Sequence, residues 1–303
     1  MTLHVLVSGA SGLIGRAVVE SLAGAGHRIT RLVRTSARAG EFRWHPLGGQ
    51  LDLSSVAPVD AVVHLAGENV GARWTAERKR RIRDSRVRGT SLLSTAIAQL
   101  RPVPRVLVSA SAIGIYGNRG DELLTESSPL GEPSDDFLAS VCREWEAAAD
   151  SAGAAGIRVV HPRFGVVLNP SGGALQRMLP VFRLGLGGRL GTGEQWMSWI
   201  SLPDVTAILA LAIDDSSLAG AVNVTAPEPV TNREFTRALG AVLHRPTPFP
   251  VPAALLRAGL GAMSEGTVLA SARVLPSRLL ESGYRFRRAD LASALRDVLA
   301  ESQ

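Results

Sequence analysis

The sequence contains one cysteine, one lysine and two tyrosines among its 303 residues. Cys142 alone cannot form an internal disulfide or a multi-cysteine metal centre, so we expect a free, buried thiol and no metal site. No apolar stretch reaches the roughly 18 residues that span a bilayer, and the first residues lack the basic and apolar regions of a signal peptide. These absences lead us to expect a soluble, cytoplasmic protein with no membrane partner.

The net charge of +6 comes from arginines that are scattered through the chain. Their densest group, residues 78–88, includes the acidic Asp84 and follows Glu77 on a predicted helix, a pattern typical of a solvated helix face. We therefore expect no nucleic-acid partner. The hydrophobic fraction of 46% and the charged fraction of 20% are those of a globular protein with one large or two small domains.

A glycine-rich turn near the N-terminus is the strongest functional signal. It follows an apolar run that ends at Val7 and precedes a run with apolar residues four positions apart, so it joins a strand to a helix. In such a turn the glycines allow the sharp bend, the approach of a pyrophosphate and close packing of the helix. The helix N-terminus also attracts phosphate. The predicted cofactor contacts are Gly9, Ser11, Gly12, Leu13, Ile14 and Gly15.

Strands and helices alternate as far as residue 162, which predicts an α/β fold with a doubly wound parallel sheet. We predict a nucleotide-binding domain over 1–165 and a smaller C-terminal substrate lobe over 166–303, made discontinuous by a strand near 221–226 that returns to the main sheet. Helix starts with capping boxes are predicted at 201–204 and 231–234. The other predicted strands cover 28–33, 42–44, 61–67, 105–111 and 157–162, and the longer predicted helices cover 75–100 and 137–151.

The residues after the second predicted strand indicate which cofactor is bound. Enzymes that use NAD place an acidic residue there to hold the ribose 2′-hydroxyl, whereas this chain has Arg34 and Thr35. An arginine suits a 2′-phosphate, so the sequence favours NADP(H) over NAD(H). The alternative is an exposed arginine at a strand end.

Several motifs together resemble the extended short-chain dehydrogenase/reductase family, which includes sugar-nucleotide epimerases and dehydratases. They are the glycine turn, 64–67, 109–111, 116–117 and 162–163. The whole chain is also similar to the branch called epimerase family proteins, which carries a C-terminal domain of unknown function. That likeness rests on 65–69, 73–74, 85–86, 137–138, 145–146 and 199–200.

This resemblance implies a Rossmann domain that binds NADP(H) and a lobe that takes a small-molecule substrate. It also allows a homodimer through the helices that follow the fourth and fifth strands. Beyond the glycine turn, the cofactor contacts that it implies are Arg34, Thr35, His64, Leu65, Ala66, Gly67, Arg86, Ser109, Pro162 and Arg163.

The usual proton relay of the family is a tyrosine with a lysine four residues later, which lowers the pKa of the phenol. The matching helix has Phe137 and Val141 instead, and neither tyrosine of the chain has a lysine at that spacing. Because Lys79 lies on another predicted helix, we expect the dyad to be absent. Ser111 and Tyr116 are then the candidates for polarising a substrate oxygen, unless they are a strand-end serine and a packed tyrosine.

Three functions remain open from the sequence. The first is an NADP(H)-dependent oxidoreductase or epimerase-like enzyme, in which the nicotinamide carries the hydride and the proton comes from Tyr116, Glu68 or water. The second is a protein that senses or holds NADP(H) without turnover, which the missing dyad favours. A nucleic-acid role for the basic helix is the third and has the least support.

Overall fold

The computed structural model describes residues 2–134 and 136–300. The strands are β1 (His4–Ser8), β2 (Arg28–Val33), β3 (Glu41–His45), β4 (Gln50–Leu51), β5 (Ala61–His64), β6 (Val106–Ser109), β7 (Ser111–Ala112), β8 (Leu123–Leu124), β9 (Arg158–Phe164), β10 (Val166–Leu168), β11 (Trp196–Met197), β12 (Trp199–Ser201), β13 (Gly220–Val224), β14 (Val230–Thr231) and β15 (Arg273–Val274). The helices are α1 (Leu13–Gly24), α2 (Ala76–Ala98), α3 (Phe137–Ala147), α4 (Asp150–Ala154), α5 (Gly173–Arg183), α6 (Leu202–Asp214), α7 (Asn232–Val242), α8 (Ala253–Leu260), α9 (Ala262–Gly266), α10 (Ser277–Glu281) and α11 (Leu291–Ala300).

The main sheet has the strand order β13-β9-β6-β5-β1-β2-β3-β4, and β7 also pairs with β9. Strand β4 is antiparallel to β3, and the remaining pairs are parallel. From β1 the chain adds β2 and β3 on one side and then returns to add β5, β6, β9 and β13 on the other. The strand order therefore reverses between β1 and β5, which is where open parallel sheets bind ligands. The predicted doubly wound fold is confirmed.

Helices cover both faces of this sheet because alternate residues of each strand point to opposite sides. In β1, Val5 and Val7 join one core, which also contains Val18 of α1 and Ile208 of α6. The intervening Leu6 joins the opposite core with Leu93 and Ile97 of α2. The apolar strands predicted from the sequence are therefore buried on both sides.

The chain after residue 166 contributes both to the C-terminal lobe and to the main sheet with its core. Strand β13 lies beside β9 in the main sheet, and α6 and α11 pack into the same core as α1. The pairs β10–β12, β11–β14 and β8–β15 form small separate sheets. The lobe is therefore discontinuous in sequence, as expected, while the domain boundary at residue 165 stays a prediction.

The two predicted capping boxes differ. At α7 the box is complete, because the side chains of Thr231 and Glu234 each accept a hydrogen bond from the other's backbone N–H. At α6 the Ser201 hydroxyl caps the helix, but the Asp204 carboxylate accepts hydrogen bonds from Tyr284 Oη at 2.9 Å and Arg287 N at 2.8 Å. The serine half of the capping box predicted at 201–204 is present, but the acidic half is wrong. The Asp204 carboxylate instead binds the C-terminal segment to α6.

Two further details concern the helices. The helix predicted over 137–151 is two helices, α3 and α4, in the structure. Among the described residues, no helix combines the length and the apolar character that crossing a bilayer requires.

Candidate nucleotide and substrate site

The glycine turn between β1 and α1 is so closely packed that two of its positions require glycine. Gly9 has φ +72°, and a Cβ atom there would lie 2.6 Å from the carbonyl carbon of Leu65. A Cβ atom on Gly15 would lie 2.1 Å from the carbonyl oxygen of Gly9. Any larger side chain would displace backbone, so the turn holds α1 directly against the ends of β1 and β5.

The start of α1 is open to a ligand. Ser11 and Gly12 are exposed. In the described part of the chain, Gly12 precedes the helix without a side-chain cap, and the first turn of α1 holds no acidic residue. The partial positive charge of this helix end therefore faces solvent without an internal counter-charge. An anionic group such as a pyrophosphate fits this environment.

Arg34 and Thr35 lie at the same edge of the sheet. Strand β2 pairs in parallel with β1, with Leu32 opposite Ser8, so the residues after both strands emerge side by side. Both Arg34 and Thr35 are exposed, and no ion pair to Arg34 is found among the described residues. The guanidinium is therefore free to meet an anion at this edge.

The segment after β5 lines the cleft together with the glycine turn and the Arg34–Thr35 segment. Leu65 N donates to Ser8 O at 3.1 Å, and the Leu65–Ala66 peptide lies against Gly9. Beside Gly67 is the Arg86 guanidinium, which donates to Glu68 O and stacks over the Trp145 ring at 4.9 Å. Burial lowers the pKa of Arg86. The sequence-predicted turn and Arg86 are thus brought together at the switch in strand order.

The side chain of His64 is not exposed at the cleft. Its ring is fully buried, and its two nitrogens hydrogen-bond with Ser8 Oγ and Thr90 Oγ1. Burial lowers its pKa to about 4, so the ring is neutral at physiological pH. The His64 side chain therefore lies beneath the cleft, and its predicted cofactor contact stays a prediction, which this burial disfavours.

Ser109 and Pro162 are also enclosed. Ser109 Oγ is buried without a hydrogen-bond partner among the described residues. Pro162 is buried in β9 opposite Val222 of β13. Neither side chain reaches the open cleft, so the predicted cofactor contacts at these two positions find no support in the structure.

Ser111, Tyr116, Glu146, Arg163 and Asn223 form what we call the buried polar cluster. Arg163 donates to both Glu146 carboxylate oxygens at 2.8 Å and to Tyr116 Oη at 2.9 Å. Tyr116 Oη donates to Asn223 Oδ1 at 2.8 Å, and Ser111 Oγ donates to Glu146 Oε1 at 2.6 Å. All these polar groups already have protein partners.

Charge and burial in this cluster favour a structural role. Burial raises the pKa of the Tyr116 phenol, and the side chain is fully enclosed. Burial alone would raise the pKa of Glu146, but hydrogen bonds and charge attraction from Arg163 hold it below its usual value. Arg163 is therefore a buried ion-pair partner rather than an open cofactor contact. The catalytic roles of Ser111 and Tyr116 stay a prediction, which this geometry disfavours.

The position of the family's missing tyrosine is filled by apolar side chains, which we call the Phe137 cluster: Trp74, Phe137, Val141 and Met263. The Trp74 and Phe137 rings meet edge to face with centroids 5.1 Å apart. Lys79 Nζ lies 5.1 Å from the centroid of Phe137. The helix positions 137 and 141 carry no hydroxyl or ammonium group, as expected, but α2 brings the only lysine of the chain to this ring.

Cys142 lies next to this cluster on α3. It is free and buried, as predicted. Burial raises the pKa of the thiol to about 12. A thiol that stays protonated is a poor nucleophile, so Cys142 acts as a small apolar residue.

The lobe closes over the cleft through α5, which sequence reasoning did not indicate. Gly172, at the start of α5, packs against the Leu13 side chain of the glycine turn. Four residues into the helix, the Arg177 guanidinium donates to Gly71 O in the loop after β5. Because these contacts join residues more than 100 positions apart, no local pattern could reveal them.

The fold and this edge of the sheet define a Rossmann-type nucleotide-binding protein. Residues 5–225 match the model of the NAD dependent epimerase/dehydratase family, and residues 251–298 match a domain of unknown function, DUF1731. The chain belongs to this epimerase/dehydratase family. An epimerase family protein of Mycobacterium tuberculosis is 43% identical over 293 residues, 96% of each chain.

Two solved structures extend the comparison. The human epimerase family protein SDR39U1, isoform 2, with NADPH, has a TM-score of 0.90 and 35% identity, covering 99% of this chain and 100% of that one. A nucleoside-diphosphate sugar epimerase of Corynebacterium glutamicum has a TM-score of 0.82 and 37% identity, covering 99% of this chain and 59% of that one. The family resemblance predicted from the motifs is confirmed.

Proposed function

We propose that this protein binds NADP(H) and acts as an oxidoreductase or epimerase-like enzyme on a small organic substrate. The observation that carries the proposal is the open anion site of the glycine turn with unpaired Arg34 at the same edge of the sheet. Human SDR39U1, which is similar along its whole length, was solved with NADPH. Both observations favour the phosphorylated cofactor.

Each wall of the cleft would hold a different part of the cofactor. The glycine turn offers backbone N–H groups to the pyrophosphate, and Arg34 with Thr35 offers charge and a hydroxyl to the 2′-phosphate. The Leu65–Gly67 turn and Arg86 would line the remainder. When bound, the nicotinamide supplies hydride chemistry, and the protein supplies orientation and charge.

The proton donor is best sought outside the buried polar cluster. Glu68 follows the Leu65–Gly67 turn directly, is partly exposed, and lies 3.4 Å from the Arg78 guanidinium. Tyr116, in contrast, has no exposed surface. We therefore assign the proton transfer to Glu68 or to water at the open edge of the cleft.

The second candidate function is an NADP(H) sensor without turnover. It is favoured by the Phe137 cluster, which puts apolar side chains where the family has its tyrosine and lysine. It also agrees with the protein partners of both Ser111 and Tyr116. Both candidates require NADP(H) binding, and they differ in whether a substrate is converted.

Cofactor binding is tested by thermal unfolding with NADPH, with NADH and with neither. A ligand at about 100 times its Kd stabilises the fold by about 2.7 kcal/mol. We expect stabilisation by NADPH that is lost in Arg34→Ala and kept in Arg31→Ala, a matched exposed arginine of β2. No stabilisation by either nucleotide in the unmodified protein would remove both candidate functions.

A second pair of variants isolates the glycine turn. Gly12→Ala places a methyl group at the open anion site, whereas Gly24→Ala adds one at the end of α1 with no atom within 4 Å. We expect the first to abolish NADPH stabilisation and the second to retain it. Equal NADPH binding by both variants would place the nucleotide elsewhere.

Turnover separates the enzyme from the sensor. NADPH absorbance is followed with a panel of aldehydes and ketones once binding is established. Loss of absorbance that depends on the carbonyl compound supports the enzyme, and Glu68→Gln then tests the proton donor against Glu77→Gln on the exposed start of α2. An epimerase returns the hydride and leaves the absorbance unchanged, so the sensor is supported by binding with neither loss of absorbance nor isomerisation of any compound in the panel.

A further inference from the structure

Two stretches in the C-terminal lobe carry arginines and no acidic residue. Residues 169–193 and 235–264 carry six arginines: Arg177, Arg183, Arg189, Arg237, Arg245 and Arg257. Outside them, the remaining 27 basic residues equal the 27 acidic residues of the chain. These six arginines have no acidic neighbour within their stretches, although the arginines of the whole chain are scattered, as expected: residues 85–120 also carry arginines and no acidic residue. In the basic run on α2, by comparison, Arg78, Arg81 and Arg83 form ion pairs with Glu68, Glu77 and Glu144.

The two stretches lie side by side in the lobe. Gly191 N donates to Val251 O, and Val251 N donates to Arg189 O, both at 2.8 Å. Arg245 Nε donates to Arg183 O at 2.9 Å. The segment after α5 therefore runs along the segment before α8, and both contribute to one surface of the lobe.

This surface also exposes large apolar side chains. Of the eight that are exposed among the described residues, five belong to it: Val181, Leu184, Leu186, Phe249 and Leu255. Leu184 is 74% exposed, Leu255 64% and Phe249 56%. Helix α8 contributes no buried residue although its sequence is largely apolar. We call these five side chains with Arg183, Arg189 and Arg245 the basic apolar surface.

We propose that the basic apolar surface docks onto an anionic lipid bilayer. Aliphatic and aromatic side chains can enter the boundary between headgroups and acyl chains while guanidinium groups meet lipid phosphates. The charges at the surface are uncompensated, because Arg183, Arg189 and Arg245 have no ion pair among the described residues. Phe249 stands among prolines at 246, 248, 250 and 252, which hold it in an extended segment.

Other occupants fit this surface less well. A second copy meeting it across a two-fold axis would bring the same arginines against each other. Nucleic acid would match the charge, but bases stack on aromatic rings, and four of the five exposed apolar side chains are aliphatic. A bilayer with anionic headgroups satisfies both the charge and the aliphatic character.

Docking here would bring the lobe side of the cleft to the membrane. Helix α5 ends at Arg183 in this surface and begins at the Leu13 contact with the glycine turn. The contact would be peripheral, because no helix in the described chain can span a bilayer. The proposal departs from the expectation of no membrane partner, and its test decides between them.

The test is co-sedimentation of the full chain with vesicles at low salt. One set contains phosphatidylcholine alone, and the other contains equal amounts of phosphatidylcholine and phosphatidylglycerol. We expect binding to the anionic vesicles that weakens as salt is raised. Leu184→Ser with Phe249→Ser should lower the affinity about tenfold or more. Arg183→Gln with Arg189→Gln should lower it by more than about tenfold, since each charge contributes about 1 kcal/mol.

Matched controls use residues with similar exposure elsewhere. Leu123→Ser with Leu280→Ser changes two leucines that are 49% and 47% exposed, and Arg80→Gln removes a charge on α2. Neither control should affect binding, and all variants should unfold at the temperature of the parent. Absence of binding, equal loss in the controls, or stronger binding to duplex DNA than to vesicles would overturn the proposal. So would a dimer in gel filtration that the Leu184 and Phe249 variants dissociate.

Discussion

We call the glycine turn with Arg34 and Thr35 the glycine-turn edge. It lies on the same sheet as the buried polar cluster, but its polar groups are open to solvent, whereas those of the cluster bind each other. At the edge, the α1 N-terminus and Arg34 have no internal counter-charge among the described residues. In the cluster, every hydroxyl and charge is bound by another side chain, and Tyr116 and Arg163 are buried. Exposed polar groups without a protein partner can bind a ligand, whereas buried polar groups that hydrogen-bond with each other stabilise the fold.

This contrast predicts which substitutions affect binding and which affect stability. Substitutions of the exposed residues Arg34 and Thr35 at the glycine-turn edge should reduce NADPH binding with little loss of folding free energy. Changes in the buried polar cluster should reduce the free energy of unfolding and leave the response to NADPH intact.

The largest effect is expected from Glu146→Leu. It leaves the Arg163 guanidinium buried without its carboxylate, which costs about 3–5 kcal/mol of unfolding free energy in urea titrations. Adding Arg163→Met should recover part of this loss, because no unpaired charge then remains buried. Glu122→Leu, which removes an exposed partner of Arg119, should cost less than about 1 kcal/mol. A Glu146→Leu variant as stable as Glu122→Leu would mean that the buried ion pair contributes nothing.

Protonation of His64, which lies beneath the glycine-turn edge, should make the stability depend on pH. Burial lowers its folded pKa to about 4 from 6.5, so the unfolded chain binds a proton at higher pH than the folded protein. Stability present above pH 6.5 is therefore lost as the pH falls towards 4, by about 3 kcal/mol. The lowered pKa of His161, also caused mainly by burial, acts in the same direction.

Urea titrations between neutral pH and pH 4 measure this loss. His64→Asn removes the titration of His64 and should show a clearly smaller fall in unfolding free energy over that range. An unchanged slope in the variant would show that His64 does not titrate differently in the folded and unfolded states.

Tyr116→Phe should have an intermediate effect. It removes one hydroxyl and leaves Arg163 Nη1 and Asn223 Oδ1 each without one partner, at a cost of about 2 kcal/mol. The rise in unfolding temperature with NADPH should persist. If stability is unchanged while substrate-dependent turnover is lost, Tyr116 is the catalytic group that the sequence suggested.

The sequence predicted the fold well because its signals are local. Apolar runs at the right spacing located β2 at residues 28–33 and α1 after the glycine turn, and strand–helix alternation gave the doubly wound sheet. The Thr231–Glu234 capping box was predictable for the same reason, since both partners lie within one helical turn.

Long-range partners were not predictable in this way. Asp204 has the spacing of a capping-box residue, but its carboxylate accepts hydrogen bonds from Tyr284 and Arg287, which lie 80 and 83 positions later. His64 is the last residue of the cleft-forming strand β5, yet its side chain lies in the core and hydrogen-bonds with Thr90. Sequence spacing identifies which residues lie near the cleft, while packing decides which of them face it.

The smallest effect is expected from Lys79, whose ammonium lies over the Phe137 ring. Lys79→Met keeps most of the side-chain volume and removes a cation–π contact worth about 0.5–1 kcal/mol at a partly exposed site. Arg80→Met, on the exposed face of α2, is the control and should be neutral in urea titrations. If Lys79→Met instead keeps the full unfolding free energy but abolishes NADPH-dependent turnover, the ammonium acts on the substrate. The Phe137 cluster would then be a second functional region beside the glycine-turn edge.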